Sequence, residues 1–289
     1  MQTTLDTTVA FEGKGLHLGQ PVSVVVRPAP ADHGIVFRRT DVAADVADVA
    51  ALWHNVIVSP LNTRIENAAG TSVSTVEHIM AALAGCGVHN ALIEIDGPEV
   101  PILDGSSVAF VRGIMARGVQ PQAAPVLAYE ILKPVTVERD GATATLVPED
   151  RLVIEFTIDF ADQAIGRQTK TLDMRNGAFA RELCDSRTFC RQADVEAMQD
   201  NGLALGGTLD NAVVVDGEEV LSPGGFRHAD EAVRHKMLDA LGDLALAGGP
   251  ILGRYIGEKA GHSLTNELLR VLFETPGAVR PVLCDPQTA

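Results

Sequence analysis

Aromatic and positively charged side chains are scarce in this sequence. Aromatic residues make up 4% of its 289 residues, and 23 Lys and Arg face 38 Asp and Glu, so the formal net charge is −15 at pH 7. So few rings argue against a platform on which nucleobases stack. The acidic balance argues against holding nucleic acid or an anionic membrane surface through bulk charge. We therefore expect no nucleic-acid partner, and an anionic ligand would need a local group of cations or backbone amides.

Cysteines and long apolar runs are scarce as well. The four cysteines form no CxxC pair, so we expect them to be reduced thiols and poor candidates for a metal site. No run approaches ~20 consecutive apolar residues, which predicts that no segment spans a membrane. The opening MQTTLDTTVAFEGKG has neither the basic nor the apolar region of a secretory signal. These features predict a cytoplasmic protein in which a metal ligand would be a histidine or a carboxylate.

Several widespread catalytic motifs are missing. The glycine-rich segment GKGLHLG at 13–19 is not a G-x-G-x-x-G fingerprint and is not followed by a βαβ pattern. The sequence also has no G-x-x-x-x-G-K-[ST] loop, no G-x-S-x-G elbow and no H-E-x-x-H helix. Nucleotide hydrolysis by a P-loop and the common zinc-protease design are therefore unsupported.

The distribution of hydrophobic residues, 46% of the chain, predicts two similar halves. Strands are predicted at 20–27, 35–38 and 91–95, and a helix at 74–84, before a linker of Pro, Gln and Ala at 118–126. Beyond the linker the pattern starts again, with predicted strands at 135–137, 142–146, 152–157 and 212–215 and helices at 195–201, 230–247 and 263–273. Strands do not alternate strictly with helices, so we expect an α+β fold with domains 1–122 and 123–289 rather than a doubly wound parallel sheet.

The helix predicted at 230–247 carries a line of polar residues. His235, Asp239 and Asp243 are spaced i, i+4, i+8 and therefore share one face. A helical His-x-x-x-Asp pair can give two ligands to one metal ion, and zinc sites need about four ligands, so a third protein ligand would come from elsewhere. The alternative is a solvated face with ion pairs between charged residues such as Glu231 and Arg234. The spacing alone favours this alternative.

Glu77 and His78 are adjacent in STVEHIMAAL. His78 is a candidate metal ligand, and Glu77 beside it is a candidate base that takes a proton from water during attack on a carbonyl. The segment Ser74-x-x-Glu77 also matches a capping box, in which Glu77 would bond the Ser74 amide. The two interpretations are equally supported by this segment.

His262 follows Gly261 and opens the last predicted helix. It is a candidate second acid–base group that could be charged at neutral pH. A cation at a helix N-terminus is not favoured by the helix dipole. A carboxylate partner would offset this, and Asp243 is the available candidate; the alternative is a histidine without a chemical role.

Six blocks of the sequence resemble, in order, those of the bacterial UDP-3-O-acyl-N-acetylglucosamine deacetylases, the zinc enzymes that commit material to lipid A synthesis. The blocks are GKGLHLGQPVSVVVRPAPADHGIVFRRTD, STVEHIMAALAGCGVHNALIEIDGPEVPILDGSS, DSRTF, LALGGTLDNAVVVD, VRHKMLDALGDLALAG and GHSLTN. The first block begins at residue 13 and the last ends at residue 266, so the resemblance extends over nearly the whole chain. Six ordered blocks are more specific than any single spacing, so the resemblance favours a metal site on the long helix.

The resemblance implies a metal-dependent amide hydrolase. His78, His235 and Asp239 would hold one zinc ion, with water as the fourth ligand. The same ligand set also suits iron(II). Glu77 would be the general base in hydrolysis of the N-acetyl group of an acylated UDP-sugar, which gives a free amine and acetate.

The resemblance also implies groups that act on the substrate. His262, oriented by Asp243, would stabilise the developing oxyanion and protonate the leaving amine. Thr188 would donate a hydrogen bond to the oxyanion, Lys236 would lie near the substrate, and Phe189 would border its site. Because the reaction needs one deprotonated and one protonated group, a bell-shaped pH–rate profile is predicted.

The implied fold has two α+β halves packed helix side to helix side, with the zinc site at their junction. A short βαβ insertion near 190–220 would form an apolar passage for the acyl chain, whose preferred length the sequence does not give. Arg191 stands where some members of the family have an aromatic residue, so we expect a cation for a phosphate there rather than a stacking ring. A monomer is expected.

Two other functions fit parts of the pattern. A catalytically silent nucleotide-sugar or acyl-chain binding protein would have lost a ligand or the base, and all of these residues are present. A metal-dependent hydrolase of another N-acetyl sugar would differ in not needing the acyl chain. No role is assigned to His17, and we expect structural or surface roles for the remaining histidines: His33, His54, His89 and His228.

Overall fold

The computed structural model describes residues 1–59 and 61–284. The helices within this part of the chain are α1 (Glu77–Gly85), α2 (Val108–Arg117), α3 (Ala178–Glu182), α4 (Gln192–Asp200), α5 (Glu231–Ala245) and α6 (His262–Glu274), with a 3-10 turn at Trp53–Asn55. The strands are β1 (Thr3–Leu5), β2 (Val9–Lys14), β3 (Pro21–Pro28), β4 (Ile35–Arg39), β5 (Asp48–Ala50), β6 (Val56–Ile57), β7 (Arg64–Glu66), β8 (Ser72–Ser74), β9 (Ala91–Ile95), β10 (Val119–Pro121), β11 (Val126–Ile131), β12 (Val135–Arg139), β13 (Ala142–Pro148), β14 (Leu152–Asp159), β15 (Arg167–Asp173), β16 (Phe189–Arg191), β17 (Val213–Asp216), β18 (Glu219–Val220), β19 (Ile251–Glu258) and β20 (Val279–Cys284). The α+β class predicted from the sequence is confirmed.

Two sheets organise the chain. The N-terminal sheet has five strands in the order β2-β3-β9-β4-β5, antiparallel except for β4 beside β9. The C-terminal sheet has seven strands around β19, which pairs antiparallel with β13 and parallel with β14 and β11. Alternate residues of β3, Val22, Val24 and Val26, are buried, as expected of a strand with one face on a core.

Helices from both parts of the chain pack against one another. α5 contacts β14 and β15, α6 contacts β12 and β13, and α2 contacts β2. α1 packs along α5, and the two backbones come close at Gly242, where a Cβ would lie only 2.0 Å from the carbonyl oxygen of Glu77. A glycine at this position therefore lets the first turn of α1 lie directly against α5.

The segment expected to be an insertion forms a small βαβ unit. β16 and β17 are parallel neighbours, α4 connects them, and β18 completes a three-stranded sheet. The helix predicted at 195–201 starts three residues earlier than expected. Residues of α4 and of the segment before β17 line the same cavity as residues of α1, α5 and α6.

The linker predicted at 118–126 is partly wrong. β10 lies inside it and pairs antiparallel with β1, with Gln120 opposite Thr4, and β11 begins at Val126. Pro121 is tolerated because β10 has only one neighbouring strand. The change from one sheet to the next falls at 122–125, which favours the predicted domains 1–122 and 123–289; this division stays a prediction, and residues 285–289 lie outside the described part.

Candidate metal centre

Three buried side chains bring their donor atoms together between α1 and α5. One ligand atom from each of His78, His235 and Asp239 lies within 4.8 Å of the other two. Asp239 Oδ1 is 3.6 Å from His78 Nε2 and 3.3 Å from His235 Nε2. The i, i+4 spacing on α5 supplies two of these residues, and α1 supplies the third.

The cluster has the unsatisfied polar atoms expected of a cation site. Asp239 Oδ1 is buried and makes no hydrogen bond within the described residues, which is costly unless a further partner is present. His235 Nδ1 lies 3.0 Å from the carbonyl oxygen of Ser186, so Nδ1 carries the proton and Nε2 faces the cluster. Burial lowers the pKa of His235 to about 4, which keeps the ring neutral, as a metal ligand requires. Two imidazoles and one carboxylate suit zinc or iron(II).

Lys236 pairs with the same carboxylate. Its Nζ lies 2.6 Å from Asp239 Oδ2, the oxygen that faces away from the two imidazoles. Burial opposes the charge on Asp239, but His235, Lys236 and His262 outweigh it and hold the pKa of Asp239 well below its usual range. Asp239 is therefore an anion whose Oδ2 is paired with Lys236 and whose Oδ1 faces the imidazoles of His78 and His235.

Glu77 is the first residue of α1 and is 3% exposed. Its Oε2 accepts a hydrogen bond from the Thr63 amide at 3.0 Å, and its Oε1 lies 3.6 Å from His262 Nε2. Burial raises the pKa of Glu77, and the nearby histidines only partly offset this. The capping box with Ser74 is not formed, because Ser74 ends β8 and the helix starts three residues later.

His262 completes the arrangement from the start of α6. Its Nδ1 lies 2.9 Å from Asp243 Oδ2, and its Nε2 faces Glu77 and Asp239. Burial lowers the pKa of His262, but the carboxylates of Asp243, Glu77 and Asp239 outweigh burial and raise it to about 9. Asp243 is itself held by the Thr63 hydroxyl at 2.5 Å. The ring is therefore a cation at neutral pH with Nε2 directed toward the carboxylates.

A cavity of about 930 Å³ opens over these groups. Its walls include Glu77, His262, Lys236, Thr188 and Phe189. The remaining wall is largely apolar and comes from the βαβ unit and the segments beside it, including Val195, Met198, Leu203, Leu209 and Val214. One face of the cluster is thus accessible from a deep, mainly apolar space.

The residues expected to contact substrate lie on this wall but differ in how firmly they are held. The Thr188 amide donates to the Gly105 carbonyl at 2.7 Å, which fixes its backbone. The Phe189 ring contacts the His235 ring edge-on, with 6.2 Å between centroids. Arg191 forms an ion pair with Asp162, so this guanidinium already has a carboxylate partner. Arg234 is likewise paired, with Asp230 at 2.5 Å, and does not line the cavity.

Two residues of this site were not picked out from the sequence. His17 is 7% exposed and lines the cavity, and neither of its ring nitrogens has a partner in the described chain. Thr63 bonds both Glu77 and Asp243. Thr63 contacts Glu77 through its backbone, which no side-chain pattern reveals, whereas His17 stands out only as a histidine between glycines. The four histidines expected to be structural or at the surface lie outside the cavity: His33, His54, His89 and His228.

An α+β fold with a buried carboxylate and a charged imidazole beside a His₂Asp cluster is the arrangement of a hydrolytic enzyme that uses a metal ion. The family model for UDP-3-O-acyl N-acetylglycosamine deacetylase (LpxC) matches residues 2–274. The chain belongs to this family and is therefore a deacetylase that hydrolyses an amide, as the sequence predicts. No helix in the described ranges is long and apolar enough to cross a membrane.

Several deacetylases resemble the chain over nearly its full length. The UDP-3-O-acyl-N-acetylglucosamine deacetylase of Phenylobacterium zucineum is 48% identical over 96% of this chain and 95% of its own. Those of Myxococcus xanthus and Idiomarina loihiensis are 45% and 43% identical, over 95% and 100% of this chain and 87% and 94% of their own.

Proposed function

We propose that this enzyme removes the N-acetyl group of UDP-3-O-(3-hydroxyacyl)-N-acetylglucosamine by zinc-dependent hydrolysis, giving a free amine and acetate in lipid A biosynthesis. The observation that carries the proposal is the convergence of His78, His235 and Asp239 with Glu77 and His262 at one end of the cavity. The names of the relatives support the substrate. We further propose that the enzyme is a cytoplasmic monomer.

His78, His235 and Asp239 would hold the metal ion. Zinc is proposed as the ion, and iron(II) is the alternative for this donor set. When bound, a divalent ion polarises the amide carbonyl and makes water easier to deprotonate. Lys236 keeps Asp239 ionised through its second oxygen. All three ligands are buried, and Ser186 holds His235 while Lys236 holds Asp239, so these two are positioned before the ion binds.

Glu77 would act as the general base. Because Thr63 occupies Oε2, Oε1 is the oxygen left to accept a proton from the attacking water. Burial raises the pKa of this carboxyl, which brings it closer to the pH at which it must exchange protons. The proton taken from water can then leave with the products or pass to the amide nitrogen.

His262 would act as the cation and general acid. Asp243 holds its Nδ1, so Nε2 is the atom that presents a proton to the reacting groups. From there it would stabilise the negative charge that develops on the carbonyl oxygen and protonate the leaving nitrogen. The Thr188 hydroxyl, on the facing wall, would donate to the same oxygen.

The apolar wall would hold the acyl chain. Apolar side chains of α4 and its neighbouring segments line the cavity, and they can bury a hydrocarbon chain without leaving polar groups unpaired. Phe189 would border the substrate site, and Lys236 would lie near the substrate. Arg191 would contribute a cation toward a phosphate, shared with Asp162.

Metal analysis paired with a deacetylation assay tests this proposal. The purified chain is expected to hold about one zinc ion, to lose activity on chelation and to regain it when zinc is restored. Substrates with and without the acyl chain distinguish this enzyme from a hydrolase of other N-acetyl sugars, because only the acylated UDP-sugar has a hydrocarbon chain that packs against the apolar wall of the cavity. Undiminished activity after complete removal of metal would contradict the proposal.

A further inference from the structure

We propose that Glu99, a buried carboxylate outside the metal cluster, is a positioning residue for the deacetylation; the inference rests on the function proposed above. Glu99 lies after β9 and is 2% exposed. Its carboxylate joins the loop that carries His17 to the turn at Thr75, from which α1 starts. It thereby fixes two parts of the cavity wall relative to each other.

Three uncharged donors surround this carboxylate. Oε1 accepts hydrogen bonds from the His17 amide at 2.8 Å and from the Thr75 hydroxyl at 3.0 Å, and Oε2 accepts one from the Leu18 amide at 2.9 Å. Successive backbone amides form a concave site for an anion, and hydrogen bonds to a charged acceptor are stronger than neutral ones. A glutamine at this position would turn an NH₂ group toward an amide donor. The negative charge of Glu99 is therefore what holds the loop.

Thr75 links Glu99 to the catalytic helix. Its backbone is left-handed, with φ of 58°, a conformation that a β-branched residue adopts only where its surroundings impose it. Its hydroxyl donates to Glu99 and accepts from Asn62 Nδ2 at 2.9 Å. α1 begins two residues later at Glu77. The bond from Thr75 to Glu99 thus helps to hold the turn that places Glu77 and His78.

The loop on the other side of Glu99 forms part of the cavity. A Cβ on Gly15 would lie 2.3 Å from Glu99 Oε2, so the carboxylate rests directly against the loop backbone. The loop also holds the segment that follows α4, because the Leu205 amide donates to the His17 carbonyl at 3.1 Å. Loss of the charge at Glu99 would displace this wall and the start of α1 together.

Glu99 does not itself line the cavity, so it would act through Thr75 and the loop. A residue that only held the fold together would lower stability and leave the folded molecules fully active. A positioning residue changes the reactivity of the folded molecules, since misplacement by ~1 Å can cost about 100-fold in rate.

The test compares Glu99→Gln with Glu94→Gln. Glu94 lies on β9 in an exposed pair with Arg27, so the control removes the same charge from a neighbouring part of the chain. Assayed well below both melting temperatures, Glu99→Gln is expected to lose about 10- to 100-fold in kcat, with a smaller change in KM. Its Co²⁺-loaded form is expected to show a shifted d–d spectrum, and the metal-free chain a weaker Co²⁺ affinity, because His78 moves. Glu94→Gln is expected to match the parent in all four measurements.

If Glu99→Gln does not fold, variants of Thr75 test the positioning role of Glu99 instead. Thr75→Val removes the hydroxyl at similar size and is expected to lower kcat as Glu99→Gln does, with little further loss in the double variant; Thr75→Ser is expected to restore activity. A Glu99→Gln protein, or failing that a Thr75→Val protein, with parental kcat and Co²⁺ spectrum would overturn the proposal. A parent chain that did not deacetylate would instead contradict the proposed function, and the Co²⁺ spectra and affinities would still test Glu99.

Discussion

The two oxygens of Glu77 have different surroundings, so the hydrogen bond that Glu77 accepts can be separated from the chemical role that we propose for it. The Thr63 amide donates to Oε2 and would still have an oxygen acceptor in a glutamine, although a neutral one. Glu77→Gln is therefore expected to fold and to keep its metal while kcat falls about 10²- to 10⁴-fold, the range that general base catalysis contributes. The checks are kcat and the ratio of metal to protein, with Glu94→Gln as the exposed control. Normal turnover by Glu77→Gln would rule out the assignment of the base.

Asp243 contacts His262 Nδ1 at 2.9 Å and favours the charged form of the ring. Asp243 is the chief carboxylate that raises the pKa of His262, to about 9, against the opposing effect of burial. If the protonated ring is the active form, activity is lost as pH rises through that pKa. Asp243→Asn is expected to move the alkaline limb of the kcat/KM profile to lower pH. A bound divalent cation lowers the pKa in both proteins, so the direction of the shift is unchanged. An alkaline limb at the same pH in both proteins would contradict this role of Asp243.

Gly242 sets the distance between α1 and α5. In an ordinary helix, Gly→Ala stabilises by ~1 kcal/mol, but here the added methyl carbon would lie 2.0 Å from the Glu77 carbonyl oxygen. Gly242→Ala is therefore expected to destabilise the protein and, by moving His78 away from His235, to weaken metal affinity. Urea unfolding and metal titration measure the two effects. Gly97→Ala, where the nearest atom would be 3.4 Å away, is the control and is expected to change neither.

A buried ion pair fixes the start of α5 to the segment that carries Thr188. Glu231 accepts bonds from the Arg187 amide and guanidinium and from the Arg227 amide. Removing one partner of such a pair leaves an unpaired buried charge, so Arg187→Met is expected to cost about 3–5 kcal/mol in urea unfolding. The exposed pair of Arg27 and Glu94 is the control, and Arg27→Met is expected to cost about 0–1 kcal/mol. Equal losses in the free energy of unfolding for Arg187→Met and Arg27→Met would contradict the expectation that burial makes the lost partner costly.

The same pair gives an acid-dependent contribution to stability. Burial raises the pKa of Glu231, but its bonds to Arg187 and the amides outweigh burial and hold that pKa below the ordinary value. The pair therefore contributes fully above the unfolded-state pKa of about 4.3, and its contribution is lost as pH falls through the folded-state pKa.

Contacts between residues that are close in the chain can be predicted from the sequence, whereas contacts between distant segments cannot. His235, Asp239 and Asp243 share one helix, so their common face follows from the 3.6-residue period. His78 joins them only because Gly242 admits α1, and no local pattern indicates this approach; the resemblance supplied it. Contacts made through backbone amides, such as those of Thr63, leave no pattern of side chains. The capping box, one of the two interpretations of the segment at 74–77, is not formed, and the predicted linker is partly wrong, because strand pairing of β8 and β10 overrides the local preference of their residues.

The whole molecule should be more stable with its metal than without. Asp239 Oδ1 and His78 Nδ1 are buried without hydrogen-bond partners in the described chain, and Glu77, Asp239 and Asp243 bring three carboxylates close together in a protein of net charge −15. A cation that binds the folded chain and not the unfolded chain would pair with Asp239 Oδ1 and reduce the repulsion between the carboxylates. At a free concentration of 100 times its Kd, it adds about 2.7 kcal/mol to the free energy of unfolding.

Chelation is therefore expected to lower the melting temperature of the parent chain, and zinc to restore it, in differential scanning calorimetry. Asp239→Asn provides the matched control, because it keeps the size of the side chain but removes the charged ligand. Its melting temperature is expected to be the same with chelator and with zinc. If zinc raised the melting temperatures of the parent and of Asp239→Asn equally, the stabilising ion would bind at a site that does not use the Asp239 carboxylate.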